Sequence, residues 1–394
     1  MMKEQDLATR QIKFFHYPLY FSGRCSGGST QNKLKGHSVF SIKSPKRYLQ
    51  LPGICAQAGE LILPLSSHIF IISSPAAWRA VNPALENSLT AAGIRFELAL
   101  LTSECTETAI AELTAQLLHQ GAPLVLGIGG GRVLDAAKAT GNAVEEVTIV
   151  TLPTLAATCA AWSPLSILYT ADGAHQRSQP LQRMPELVLV DSEVIARSDV
   201  RYLKAGIVDA LAKWYEFQPY QQKSPDNLAL NLKTLMARQA VELFEKWGEQ
   251  AVQDNQHGRV TQALNKVIEG CIVLAGMANS IRDADPTPGF AHAIHNRLTR
   301  QPELHDWLHG EKVGFSLLVQ SLMQRPDGKP EAGLLALLRQ YGAPLTLAPL
   351  TGDRHQAIRS IAREVKFSAE SAIRLPFDTS ASALEKALLA TEIG

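Results

Sequence analysis

Hydrophobic and polar positions change character twice along the chain. Residues 1–38 are polar, with Gly and Ser clustered in SGRCSGGSTQ and bases in NKLKGH, and no helical or strand period is sustained. That composition predicts an extension with little order. From Val39 an alternating rhythm begins. HIFIISS (68–74), IRFELALL (94–101), APLVLGIGGG (122–131), VTIVTLP (147–153) and ELVLVDS (186–192) are short apolar runs that read as strands. Between them, SPAAWRAVNPALENSLTAAG reads as helical or turn-rich and RVLDAAKATGNA as a helix. TETAIAELTAQLLHQG (106–121) has helical spacing and stops at Gly. Strands alternating with helices predict a mostly parallel sheet covered on both faces. After about Ser198 the segments VRYLKAGIVDALAKWYEFQ, DNLALNLKTLMARQAVELFEKWG, VTQALNKVIEGCIVLAGMANSI and EKVGFSLLVQSLM all read as helices. No strand is expected between 200 and 390. The predicted organisation is an extension over 1–38, an α/β domain over 39–198 and an all-α domain over 199–394.

Composition narrows the class without changing this picture. A chain of 394 residues, 46% hydrophobic, has room for two or three domains and a large core. Lys and Arg number 38 against 37 Asp and Glu, a balance that gives no support for nucleic-acid binding. The five cysteines form no CxxC pair, which argues against a disulfide scaffold and fits a reducing cytoplasm. No apolar run approaches the roughly 18 residues of a membrane span. The N-terminus has no apolar stretch of the signal-peptide kind. A cytoplasmic protein with a small-molecule substrate, and no nucleic-acid or membrane partner, is expected.

Two regions carry candidate chemistry. Gly127, Gly129, Gly130 and Gly131 leave a predicted strand and lead into a helix containing Arg132 and Asp135. Glycines let backbone N–H groups approach a phosphate, and the helix start adds free donors and partial positive charge. The spacing departs from GxGxxG, so a tight strand–helix turn without a ligand stays open. Asp135 could meet a polar cofactor group or simply stabilise the helix dipole. In the second region, Asp209 sits in the otherwise apolar AGIVDALAKWYE, with Lys213 one turn later on the same face. A buried Asp needs a salt bridge, a cap or a metal. Four of the eleven histidines fall between 292 and 309: His292, His295, His305 and His309. One carboxylate and two imidazoles suit a divalent cation with an open position, whereas a single histidine is more often structural.

Taken together, GIGGGRVLDAAKA, LPTLAATCAAWSPLSILYT, LVLVDSEVIA, AGIVDALAKWYE, AHAIHN and HGEKVGF resemble the glycerol dehydrogenase branch of the iron-containing alcohol dehydrogenase superfamily. The resemblance is close from about 121 to 316 and leaves residues 1–38 outside. It implies a dinucleotide-binding α/β domain, an all-α domain and an active site in the cleft between them. It implies one divalent metal, zinc rather than iron, on Asp209, His292 and His309. NAD or NADP would meet Gly130, Gly131, Arg132, Asp135, Thr154, Ser163, Leu165 and Tyr169. His295 would sit beside the substrate as a candidate proton carrier. A homo-oligomer is compatible with the family.

The sequence departs from that branch at three positions. Cys159 replaces an Asp that contacts the polyol, Ser74 replaces the acidic residue that holds the adenosine ribose, and Arg297 replaces a Gly. With Lys213, the PTLAATCAAW segment around Cys159 looks more like the bacterial hydroxycarboxylate dehydrogenases, which reduce 2-oxo acids with NADPH. A 2-oxo or 2-hydroxy acid is therefore the expected substrate, held near Cys159 by Lys213, with Arg297 and Arg132 as weaker carboxylate partners. The alternatives are a polyol dehydrogenase, a dehydroquinate synthase-type lyase, for which no basic cluster is visible in the sequence, and a non-catalytic binding module. With the acidic ribose contact gone, NADP(H) is expected to be accepted at least as well as NAD(H).

Overall fold

Every apolar run read as a strand lies in one six-stranded sheet. The computed structural model describes residues 40–325 and 327–392. The extension read over 1–38 lies outside the described residues. In chain order the strands are β1 (Ser41–Ile42), β2 (Arg47–Leu51), β3 (His68–Ser73), β4 (Arg95–Leu100), β5 (Leu124–Gly129), β6 (Thr148–Pro153), β7 (Leu165–Tyr169), β8 (His175–Pro180), β9 (Leu187–Asp191) and β10 (Ile281–Arg282). The main sheet runs β2-β9-β6-β5-β3-β4, and all of its pairs are parallel. Its central strands β5 and β9 are buried throughout. That is why they read as unbroken apolar runs rather than alternating ones.

Helices cover both faces. Leu126, Ile128, Leu152 and Leu189 pack toward Ile54, Ile62 and Leu85 on one side. Val125 and Phe70 pack toward Leu113, Val133 and Ala137 on the other. The Glu107–Gln120 helix begins at Thr106, whose side chain accepts from the Ala109 N–H. It ends at Gly121, in the left-handed region at φ 66°. The chain leaves β3 toward β4 on one side and leaves β5 toward β6 on the other. The crevice between the carboxyl ends of β3 and β5 is therefore the topological switch point, the usual ligand position of such sheets.

The remainder is helical, built on the long Val200–Lys223 and Leu228–Gln256 helices. Two departures from the sequence reading appear. β7 and β8 form an antiparallel hairpin over the Gly131–Ala143 helix. The two-residue β10 pairs antiparallel with β1, although no strand was expected after 200. A strand that short has no period of its own. Its existence depends on a partner some 240 residues away in the sequence.

Candidate active site

A cleft of about 1870 Å³ runs between the carboxyl edge of the sheet and the helices. Ser74, Gly130, Gly131, Arg132, Asp135, Thr154, Ser163, Leu165 and Tyr169 all line it, as do Cys159, Asp209, Lys213, His292, His295 and His309. Arg297 does not. Its guanidinium is buried away from the cleft against Glu364 at 3.1 Å, so the expectation that it holds a substrate carboxylate is corrected. It follows His295 by two residues, and an α-helix turns about 100° per residue. Arg297 therefore faces the neighbouring Arg354–Glu364 helix instead.

β5 ends at Gly129, whose φ of 156° suits glycine and where a Cβ would press on Val133. Gly130 then caps the Gly131–Ala143 helix, leaving its first N–H groups open to the cleft. On the other side of the switch point, Ser74 caps the Pro75–Val81 helix by accepting from the Ala77 N–H at 3.2 Å. Asp135 is buried and paired with Lys138 at 2.9 Å. Burial raises its pKa against the pull of that lysine. Lys138, fully buried, also donates to the carbonyls of Ser163 and Leu165. The pair thereby ties the helix to the β7–β8 hairpin. Arg132 is exposed and bonded to Glu104 at 2.6 Å.

Asp209, His292 and His309 come from three helices, Val200–Lys223, Phe290–Leu298 and His309–Gln324. The His309 helix meets the Asp209 helix backbone to backbone, because Gly310 presents only hydrogen to the Ala205 carbonyl. Asp209 Oδ1 lies 3.2 Å from His309 Nε2 and 3.4 Å from His292 Nε2. Ligands about 2.0–2.2 Å from a tetrahedral metal stand about 3.4 Å apart, which these spacings match. Among the described residues these three form the one such group. The donor set also fits in its outer contacts. Glu216 is buried and meets His292 Nδ1 at 2.8 Å, so the Nδ1–H donates to the carboxylate, and in the neutral ring Nε2 is left as a lone-pair donor. The same carboxylate accepts from the His292 backbone N–H at 2.8 Å. Sequence reasoning missed Glu216. The signal was present, since Asp209, Lys213 and Glu216 recur at i, i+4 and i+7 on one helix face.

The electrostatics are those of a desolvated charged cluster. Burial opposes the Asp209 carboxylate, but Lys213, His309 and His292 together hold it well below the usual range. Burial also opposes the Lys213 ammonium, while Asp209, Cys159 and Glu216 keep its pKa raised. Its Nζ stands 3.6 Å from Asp209 Oδ1 and 3.4 Å from His292 Nε2. Of the salt bridge, cap or metal that a buried Asp209 needs, the i+4 salt bridge to Lys213 is thus present, within the cleft. His295 packs edge-on to His309, with ring centroids 4.3 Å apart, and its Nδ1 meets Asn296 Oδ1 at 3.1 Å. Burial and then the neighbouring imidazoles push His295 far down, so it stays neutral. Cys159 is buried, with Asn279 Nδ2 3.4 Å from its sulfur.

A switch-point cradle suited to a dinucleotide lies across the cleft from Asp209, His292 and His309, three donors able to hold one metal ion. The iron-containing alcohol dehydrogenase family profile matches residues 45–192. A glycerol dehydrogenase from Pseudomonas putida is 31% identical over 358 residues, covering 89% of this chain and 97% of the relative. Hydroxycarboxylate dehydrogenase A from Escherichia coli (strain K12) is 35% identical over 257 residues, covering 64% of this chain and 70% of the relative. The crystal structure of a probable glycerol dehydrogenase from Sinorhizobium meliloti 1021 superposes with a TM-score of 0.79 at 25% identity. It covers 90% of this chain and 99% of that one. The chain belongs to the iron-containing alcohol dehydrogenase family, and it is an NAD(P)-dependent alcohol dehydrogenase by class. No helix among the described residues is long and apolar enough to cross a membrane.

Proposed function

We propose that the protein interconverts an alcohol and a carbonyl on a small polyol or hydroxyketone of the glycerol type, with zinc on Asp209, His292 and His309. The likeness to glycerol dehydrogenases over nearly the whole chain supports this reading and favours it over the 2-oxo acid expected from the sequence. The observation that carries the chemistry is the triad's spacing, with Lys213 Nζ beside it. When bound, the metal supplies Lewis-acid polarisation of the substrate oxygen and the nicotinamide supplies or accepts the hydride.

The chain's own residues do the positioning. Asp209 brings the negative charge that makes the site attractive to a dication, and Glu216 fixes the ring of His292. Lys213 donates to a second oxygen on the carbon next to the reacting one. Neutral His295 can pass a proton at a ring nitrogen. The open N–H groups after Gly130 take the cofactor pyrophosphate, and the β3–β5 crevice takes the dinucleotide.

A second reading, a 2-oxo or 2-hydroxy acid, is favoured by one observation. The position facing Lys213 holds the uncharged Cys159, so no further carboxylate joins Asp209 and Glu216 around the ammonium. A panel of glycerol, dihydroxyacetone, 2-oxobutanoate and a simple secondary alcohol, run with NAD and NADP at known metal content, tests both. Turnover of the polyols ahead of the acid supports the first reading, and the reverse order supports the second. Activity with the simple alcohol alone overturns both.

A further inference from the structure

The same cleft holds a buried cation that the chemistry above does not use. Lys233, on the Leu228–Gln256 helix, is 7% exposed and lines the cleft. Its Nζ donates to Thr287 Oγ1 at 2.8 Å and lies 5.2 Å from the centre of the Phe217 ring. Among the described residues no carboxylate oxygen comes within 4.0 Å of it, whereas the exposed Arg238 on the same helix pairs with Glu242 at 3.0 Å. Asp283 is the nearest acid in effect, but Asn227 Nδ2 and the Asp285 N–H already occupy its oxygens. Arg282 lines the same corner from β10. Asp283 and Asp285 line that corner too, so Lys233 and Arg282 meet there from segments far apart in the chain without forming a purely basic surface.

A buried ammonium without a counter-ion is costly, and lysine is almost never fully buried unless paired. Burial drags Lys233 down to about 8. An ammonium carries three donors, and Thr287 takes one. Phe217 follows Lys213 by one helical turn, about 6 Å along the axis, so Lys233 lies beyond the reacting end of the cleft.

We propose that Lys233, with Arg282 at the rim and Thr287 beside it, is a subsite for an anionic group, carboxylate or phosphate, at the far end of the substrate from the reacting carbon. This rests on the reading that the substrate reacts beside Lys213. It would make the natural substrate a charged relative of a simple polyol or hydroxy acid.

Two measurements separate the subsite from the reaction. The first is calorimetric binding of inorganic phosphate and of succinate to enzyme carrying metal and NAD, so that the pyrophosphate cradle is already filled. Wild type binds at least one of them, K233M weakens that binding about tenfold or more, and K233R retains most of it. Phosphate alone points to a phosphate ester, succinate alone to a carboxylate. The second is the ratio of kcat/KM for glycerol phosphate over glycerol, and for 2-oxopentanedioate over 2-oxobutanoate. K233M lowers the ratio for the preferred pair about tenfold, through KM. Failure of wild type to bind either anion, or equal binding by wild type and K233M, overturns the subsite. Binding lost in K233M with no turnover of any pair leaves the subsite standing and overturns the substrate reading instead.

Discussion

Glu216 grips His292 twice, through the ring Nδ1 at 2.8 Å and through the backbone N–H at 2.8 Å. One carboxylate thereby sets both the tautomer of the ring and the start of the Phe290–Leu298 helix that carries it. In the neutral ring, a carboxylate on Nδ1 favours the tautomer that presents Nε2 as a lone pair, which is what a metal requires.

E216Q can still accept from His292 N–H but loses the charge that favours the Nδ1–H tautomer. Metal affinity should fall about 10–100-fold, read by competition with a chromophoric chelator. An unchanged affinity would reduce Glu216 to a helix-start contact.

H292A and H309A each remove one of the three proposed ligand atoms. Both proteins should fold, by circular dichroism, and retain less than about a tenth of the bound metal seen in wild type. Full metal content in either variant would move the site elsewhere.

S74D tests the cofactor contact. Aspartate is as good an N-cap as serine, so the Pro75–Val81 helix should keep its start and its stability. A carboxylate at that strand end bonds a ribose 2′-hydroxyl and repels a 2′-phosphate. The ratio of kcat/KM for NAD over NADP should rise about tenfold. No change would mean that the ribose does not reach the end of β3.

K213M decides which second oxygen is held. If the pocket takes a 2-oxo acid, kcat/KM for 2-oxobutanoate should fall about tenfold more than for dihydroxyacetone, because only the acid loses a charge–charge contact. Equal losses fit the polyol reading. No loss with either substrate would leave Lys213 as nothing more than the partner of Asp209.

Lys233 gives stability a sign against pH. Its pKa is about 8 in the fold and higher when unfolded, so the unfolded chain binds the extra proton between those values. The penalty is therefore greatest below pH 8 and is relieved as pH rises. The charges facing it, Asp283, Arg282 and Arg374, are all unaltered in K233M. In denaturant melts without added anions, wild type should gain about 2 kcal/mol on K233M between pH 7.5 and 9.5. Parallel curves would show that the ammonium is not desolvated.

The sequence by itself determined what is written in local periodicity and in dense motifs. The strands at 68–73, 124–129 and 187–191, the glycine turn and the helical character after 198 were all legible. Each depends on neighbours within a few positions, where apolar spacing, caps and glycine act directly. The clustering of Asp209, His292 and His309 was legible through the resemblance and through unusual residues, an Asp in an apolar helix and a histidine cluster. Tertiary structure alone decided how side chains were shared out. It placed Glu216 behind His292, turned Arg297 onto Glu364, bound Asp135 to Lys138 and left Lys233 in the cleft without a carboxylate. It also created β10, a strand that exists only because β1 lies beside it. The partner of a buried charge is chosen by which helices pack together, and spacing along one helix cannot encode that choice.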